Sequence, residues 1–286
     1  QKIYADDIYK NLSTSTEGKK NLFTYVLDQL IRENFPVTSD MKENASNIAS
    51  NLENNYKNQY GDDADAQLES ALTQSGYKDI DAFKDSIVQS LQYSEFLKKY
   101  VKANFDEVFD DYYKMEAPRK MSLIKVTMSD PANPTDEEKA KLEEIQSLLK
   151  TDKVLRILLL NILMIQQRVQ KGILGLWIQL QKLKNIYGEE VEKAALTLEQ
   201  GKITAPIQGT GGYYILKCTT TDKETIKKEL KTIDVDSPLL VYDTYLVYLV
   251  FNTYDIKYGD DSVKETIQKI VDENLKTRTD LRKEKS

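Results

Sequence analysis

Histidine is missing altogether from the 286 residues, and cysteine and tryptophan occur once each, as Cys218 and Trp177. The first absence removes Ser-His-Asp and Cys-His nucleophile chemistry, which depends on an imidazole base. It also leaves one thiol and no imidazole for a zinc site of the ordinary kind, so neither a metal nor another cofactor is expected. A single cysteine excludes a disulfide framework within the chain. Cys218 falls on a predicted buried strand, where a thiol serves as a small core hydrophobe. Long apolar runs are scarce as well. The longest, Val154 to Ile165, covers 12 residues and is interrupted by Arg156 and Asn161, against the roughly 20 that a membrane-spanning helix requires. No glycine-rich phosphate loop occurs.

What is present is ordinary for a packed protein. Hydrophobic residues make up 40% and charged residues 30%, with 40 Lys and Arg against 46 Asp and Glu, a net charge of −6. The length suits one large domain or two to three ordinary ones. An acidic balance argues against nucleic acid as a partner, because phosphate binding needs a basic footprint. The acidic pairs Asp62-Asp63, Asp110-Asp111 and Asp260-Asp261 read as helix caps and solvated loops, not as catalytic carboxylates.

Periodicity divides the chain. Leu22, Phe23, Val26, Leu27, Leu30 and Ile31 share one helical stripe. Ile80, Phe83, Ile87, Val88, Leu91, Leu97, Tyr100 and Val101 share another, with Asp81 as the expected N-cap and Gly61 and Gly76 as breaks. The polar stretch Thr38 to Asp65 carries apolar residues enough for a surface helix only. After Pro118, Met121-Ser-Leu-Ile-Lys-Val-Thr-Met128 alternates as a strand. Thr135 with Glu138 forms a capping box for a helix whose apolar face is Leu142, Ile145, Leu148 and Leu149. Further on, Lys223 to Leu230 reads as a helix, Pro238 to Tyr254 as a buried helix or strand, and Asp261 as the cap of a last helix bearing Val263, Ile267 and Ile270.

Residues 187–218 read YGEEVEKAALTLEQGKITAPIQGTGGYYILKC. This stretch resembles the closing half of a parvulin-type prolyl isomerase domain. Its marks are a helix from Glu189 to Leu198 ending at Gly201, a strand from Lys202 to Ile207, a Gly211-Gly212 turn and a last strand. Leu196, Leu198, Ile203, Ile207, Ile215 and Leu216 read as core. The whole chain is similar in architecture to PrsA-like and SurA-like chaperones. The resemblance implies an α+β fold in which a discontinuous helical bundle, residues 1–117 with 221–286, carries an inserted parvulin-like domain, residues 118–220. It implies an extracytoplasmic foldase of Gram-positive type that holds exported, unfolded polypeptides. It further implies a signal sequence and a lipid-modified cysteine upstream of Gln1, placement at the outer face of the cell membrane, and dimerisation through the helical part.

Carried over residue by residue, the family's chemistry is gone. Parvulins rotate X–Pro bonds, whose barrier is about 18–20 kcal/mol, beside paired histidines. The first-strand histidine position holds Leu123 and the last-strand position Tyr214. The pocket methionine and phenylalanine positions fall near Tyr187 and Val191. The expectation is a foldase or holdase without isomerase turnover; the alternative is an isomerase that uses Tyr214 or other groups. Client contact is expected from some of the 18 tyrosines, with Tyr25, Tyr56, Tyr93, Tyr112 and Tyr113 as candidates lining a groove.

One segment matches nothing in the family. From Lys153 to Gly188 there is neither Asp nor Glu. Starting each codon on the last base of the preceding one lets Lys153 onward read Ser-Phe-Glu-Asp-Ile-Ala-x-Lys-Tyr-Ser-x-Asp, which follows the family phrase. Met164 before Ile165 must then give Asp, and so must Trp177 before Ile178. Residues 154–181 therefore read as sequence between two compensating frame shifts, with an apolar patch expected around Leu158 to Ile165. A diverged amphipathic helix pair is the alternative, and the coding DNA decides between them.

Overall fold

The computed structural model describes residues 15–149, 176–177, 180–234 and 237–284. Of the anomalous stretch, only Leu176–Trp177 and the backbone from Leu180 onward fall within these, and the expected patch at Leu158 to Ile165 lies outside them. The protein is α+β and mostly helical. It forms two compact units, Gln1–Asn104 together with Ile233–Ser286, and Phe105–Thr232. Among the described residues no helix is long and apolar enough to cross a membrane.

The first unit is built from amphipathic helices. Helix α1 (Thr16–Asn34) starts at Ser15, whose hydroxyl accepts from the Gly18 N–H, and buries Phe23, Leu27, Leu30 and Ile31. Helix α2 (Ser39–Tyr60) is capped by Thr38 and buries only Ala45 and Ala49, as its polar composition leads one to expect. A short 3-10 turn and α3 (Ala64–Gln74) follow. Helix α4 (Ile80–Ala103) is capped by Asp79, which accepts from the Ala82 N–H at 2.8 Å. The expected cap, Asp81, sits instead in the first turn and pairs with Lys84; the helix starts two residues closer to Gly76 than a cap at Asp81 implies.

After residue 233 the chain supplies the rest of this unit. Pro238–Leu240 is a 3-10 turn, and α10 (Leu246–Phe251) is a short buried helix, so the apolar stretch resolves as helix and not strand. Phe23 packs against Tyr248 and Phe251 with ring centroids 4.6 and 5.0 Å apart. The last helix, α11 (Asp261–Glu284), is capped by Asp260, whose carboxylate accepts from the Ser262 and Val263 N–H groups. Asp261 is the first helical residue, one place after the cap.

The second unit holds the sheet. It opens with α5 (Phe105–Glu116), tied to α9 (Lys223–Glu229) by Lys227–Asp106 at 2.9 Å and Lys223–Asp110 at 2.8 Å. Tyr113 also donates its hydroxyl proton to the Thr221 carbonyl at 2.7 Å. These contacts place both helices in this unit, outside the span 118–220. Strands β1 (Lys120–Thr127), β2 (Leu176–Trp177), β3 (Ile207–Gly209) and β4 (Gly212–Thr220) form one antiparallel sheet in the order β2-β1-β4-β3. Alternation sends Ile124, Val126 and Ile215 to one face, where Ile145 of α6 (Asp136–Leu149) packs. The other face carries Met121, Tyr214, Leu216 and Cys218 under α7 (Leu180–Tyr187) and α8 (Glu189–Thr197).

The capping box at α6 forms as its spacing requires. The Glu138 N–H donates to the Thr135 hydroxyl at 3.2 Å, and the Glu138 carboxylate accepts from the Thr135 and Ser129 N–H groups at 2.8 and 2.7 Å. These bonds favour the ionised form and hold the Glu138 carboxyl at about 2, below its usual 4.5,. A lowered folded value means the stabilisation is present above the ordinary value and is lost as pH falls through the folded one. The Ser129 and Thr135 amide signals should titrate together with a midpoint near 2. A midpoint near 4.5 would show that the box is not formed.

Two core expectations fail. Leu196 and Ile203 are each 37% exposed. Leu196 lies on the outer side of α8. Ile203 lies outside the named strands, on a segment bridged to β4 at Lys217.

Candidate functional site

The β1–β4 register aligns Leu123 with Leu216 and Lys125 with Tyr214. Leu123 and Tyr214 are therefore diagonal neighbours on one face of adjacent strands, within side-chain reach. Tyr187, at the end of α7, sets its ring edge-on to Tyr214 with centroids 5.4 Å apart. Val191, one turn into α8, is 1% exposed and closes the group. All four positions expected from the sequence thus come together, and they come together as packing. Met121, Leu183, Ala195, Leu216 and Cys218 complete the same apolar cluster.

One polar atom here is already engaged. Tyr214 is fully buried and donates its hydroxyl proton to the Thr210 carbonyl. The Tyr187 hydroxyl is pushed up by burial and, second, by Tyr214. Burial also raises the Cys218 thiol, against a smaller opposing effect of Arg119. The ammonium of Lys125 lies 5.6 Å from the Tyr214 ring centroid. Apart from the Tyr187 and Tyr214 phenols and the Cys218 thiol, the cluster is made of apolar side chains. Among the described residues there is also no cluster of three or more His, Cys, Asp or Glu side chains placed to hold a metal ion.

The scaffold around the cluster follows from the 187–218 motif. Arg119 caps the end of α8 through the Ala195 and Leu198 carbonyls at 3.1 and 2.9 Å. Past Gly201 the chain runs beside β4, with the Thr204 N–H on the Leu216 carbonyl and the Cys218 N–H on the Lys202 carbonyl. Gly209 has to be glycine. A Cβ there would stand 2.2 Å from the Tyr187 carbonyl oxygen and 2.9 Å from the Tyr214 ring.

The candidate client-binding tyrosines are divided between the units. In the first, Tyr25 is 64% exposed. Tyr56 is half-buried against the exposed Tyr60, with ring centroids 5.5 Å apart. The half-buried Tyr93 has its hydroxyl pushed up by burial and by Tyr248. In the second unit, Tyr112 is 2% exposed and its ring belongs to the core beside Phe109, which removes it as a contact for a client. Tyr113 is half-buried, bonded to Thr221 and overlaid by Lys223.

Sequence reasoning missed an open groove in the first unit. It has a volume of about 400 Å³ and is formed where α1 hands over to α2 beside α4. Phe35, Pro36, Met41 and Leu91 give it apolar walls, and Asp40 and Glu95 give it carboxylates. The signal was present: Phe35-Pro36-Val37 is an apolar connection between two helices, where polar residues are the rule.

No family model matches the chain. In sequence it is similar to the foldase protein PrsA of Staphylococcus aureus (strain Newman), 28% identical over 211 residues, which is 71% of this chain and 63% of the relative. The chain is PrsA-like. It spans 63% of the length of the curated PrsA relatives that it matches. Two crystal structures of PrsA align along most of the chain. The one from Bacillus subtilis has 21% identity and a TM-score of 0.47, over 92% of this chain and 93% of its own. The one from Lactococcus lactis has 17% identity and a TM-score of 0.45, over 94% and 96%.

Proposed function

We propose that this PrsA-like chain is an extracytoplasmic folding factor that holds exported polypeptides while they fold, without prolyl isomerase turnover. The first unit is then the discontinuous helical chaperone bundle of the SurA-like architecture, and the second is its inserted parvulin-like module. Tethering at the outer face of the cell membrane by an upstream lipid, and pairing of two copies, belong to the same reading. Similarity to curated foldases supports the role.

The observation that carries the absence of turnover is the state of Leu123 and Tyr214. An isomerase must lower a barrier of about 18–20 kcal/mol on a bound X–Pro segment. It does so by placing polar groups against the twisting amide in an accessible pocket. Leu123 has no polar atom. Tyr214 is fully buried with its hydroxyl committed to Thr210. Tyr187 sets its ring edge-on against that of Tyr214, so the Tyr214 hydroxyl cannot be presented to a substrate without unpacking the core.

Refolding of a proline-limited client tests both halves. Sub-stoichiometric protein should leave the slow-phase rate unchanged. Near-equimolar protein should raise the soluble yield. A faster slow phase would mean that non-histidine groups catalyse rotation and would end the reading of Leu123 and Tyr214. No effect on rate or yield would identify the chain as a non-functional remnant.

A further inference from the structure

We infer that the groove between the α1–α2 connection and α4 is a binding site for extended, unfolded polypeptide in which an aliphatic side chain stands beside a lysine or arginine. This rests on the folding-factor reading and names the segment that the helical unit would hold.

The groove is shaped before anything binds. Phe35 ends α1, and its carbonyl accepts from the buried Gln92 side chain at 2.6 Å. Its ring meets Phe96 edge-on, with centroids 6.0 Å apart. A volume of about 400 Å³ with walls of Phe35, Met41 and Leu91 takes a short segment of chain and buries an aliphatic side chain,. Fixing these walls in advance lowers the entropy cost of binding.

Charge selects the neighbour of that side chain. The groove is lined by two carboxylates, Asp40 and Glu95, and by no lysine or arginine. Glu95 is shared with Lys98 at 2.9 Å. Asp40 has no ion pair or hydrogen bond among the described residues and is exposed. A cation on the bound segment would complement it, and nucleic acid would be repelled.

A third feature recognises backbone. Helix α2 carries six asparagines in 22 residues, although asparagine is a poor helix former. Asn44, Asn47, Asn51 and Asn55 recur at helical spacing, are exposed, and make no side-chain hydrogen bond among the described residues. Asn44 itself lines the groove. Each amide presents one acceptor and two donors, the complement of a peptide group, so a row of them can pair with an extended chain whatever its sequence. Beside this row run Met41, Ile48 and Leu52, and Ile48 is 41% exposed. The groove thus opens onto a track with an amide edge and an aliphatic edge.

The test uses the whole chain and a fluorescent unstructured peptide of repeating Leu-Lys-Ser, with a Leu-Glu-Ser peptide as control, read by anisotropy. The Lys peptide should bind at least tenfold more tightly than the Glu peptide. Asp40→Lys should reverse that order. The triple variant Asn44→Ala, Asn51→Ala, Asn55→Ala should bind about tenfold more weakly while its circular dichroism and melting hold or improve, because alanine favours the helix. Binding that ignores both variants, or no binding by the unmodified chain, overturns the site. The yield of a denatured client, measured on the same samples, tells the two ideas apart. Raised yield with variant-insensitive peptide binding ends the groove alone, whereas groove binding without raised yield leaves the site standing and ends the folding-factor role.

Discussion

Replacing Asp243 by alanine should cost the helical unit about 3–5 kcal/mol, the range found when one partner of a buried ion pair is removed. One oxygen of the Asp243 carboxylate accepts from both Arg278 Nε and Arg282 Nη2 at 2.7 Å, and the other accepts from the Tyr245 N–H at 2.9 Å. The side chain is 4% exposed and those of the arginines 17% and 18%. The carboxylate therefore fastens the last turns of α11 to the connection before α10. Alanine would leave two largely desolvated guanidinium groups without this counter-charge and one backbone donor without its acceptor. Asp243→Asn keeps an acceptor for Tyr245 and should cost less. Hydrogen exchange by segment checks this: amides of α10 and α11 should lose protection while those of β4 keep theirs. Equal loss in both, or in neither, would contradict the local clamp.

This clamp was not legible in the sequence, and the reason is physical. Asp243 sits 35 and 39 residues from its partners, and no local pattern announces a pairing set by helix docking. What was legible was local. The stripe through Phe23, Leu27 and Ile31 is buried as its spacing requires, and the Thr135–Glu138 box forms because both its bonds lie within one turn. The errors at helix starts have the same origin, because an Asp in the first turn and an Asp at the cap look alike until backbone angles separate them. Asp79 is extended, with φ −160° and ψ −179°, and so takes the cap from Asp81.

The candidate site was legible in part. The family resemblance named the positions that converge, Leu123 on β1 together with Tyr187, Val191 and Tyr214 of the 187–218 motif. How they converge was not legible. Tyr214 could have pointed its hydroxyl at a ligand, and only the three-dimensional packing shows it turned to Thr210 under Tyr187. Likewise Tyr112 and Tyr113 are adjacent in sequence, yet one is core and the other is bonded across to Thr221. The groove was missed because its walls come from three helices and the connection between two of them, and each contributes only one to three residues that mean little alone.

Gly209→Ala should be among the most damaging single-methyl changes in the second unit, costing about 3 kcal/mol, the upper end of the overpacking range. A flexible side chain could move aside, but the nearest atom to the new Cβ is the Tyr187 carbonyl oxygen, 2.2 Å away. That carbonyl is fixed by accepting from the Thr210 N–H at 3.0 Å. Relief would require α7 and the β3–β4 hairpin to separate, which would also pull Tyr187 off Tyr214. The melting midpoint of this unit should fall by on the order of 10 °C. Trimming the other neighbour distinguishes backbone contact from ring contact. Adding Tyr214→Leu to Gly209→Ala removes the ring 2.9 Å away and leaves the carbonyl, so the double variant should recover nothing. If it recovers most of the loss, the ring and not the backbone sets the requirement for glycine, and Tyr214 is more easily displaced than its packing suggests. That result would reopen the question of whether its hydroxyl can reach a bound proline segment.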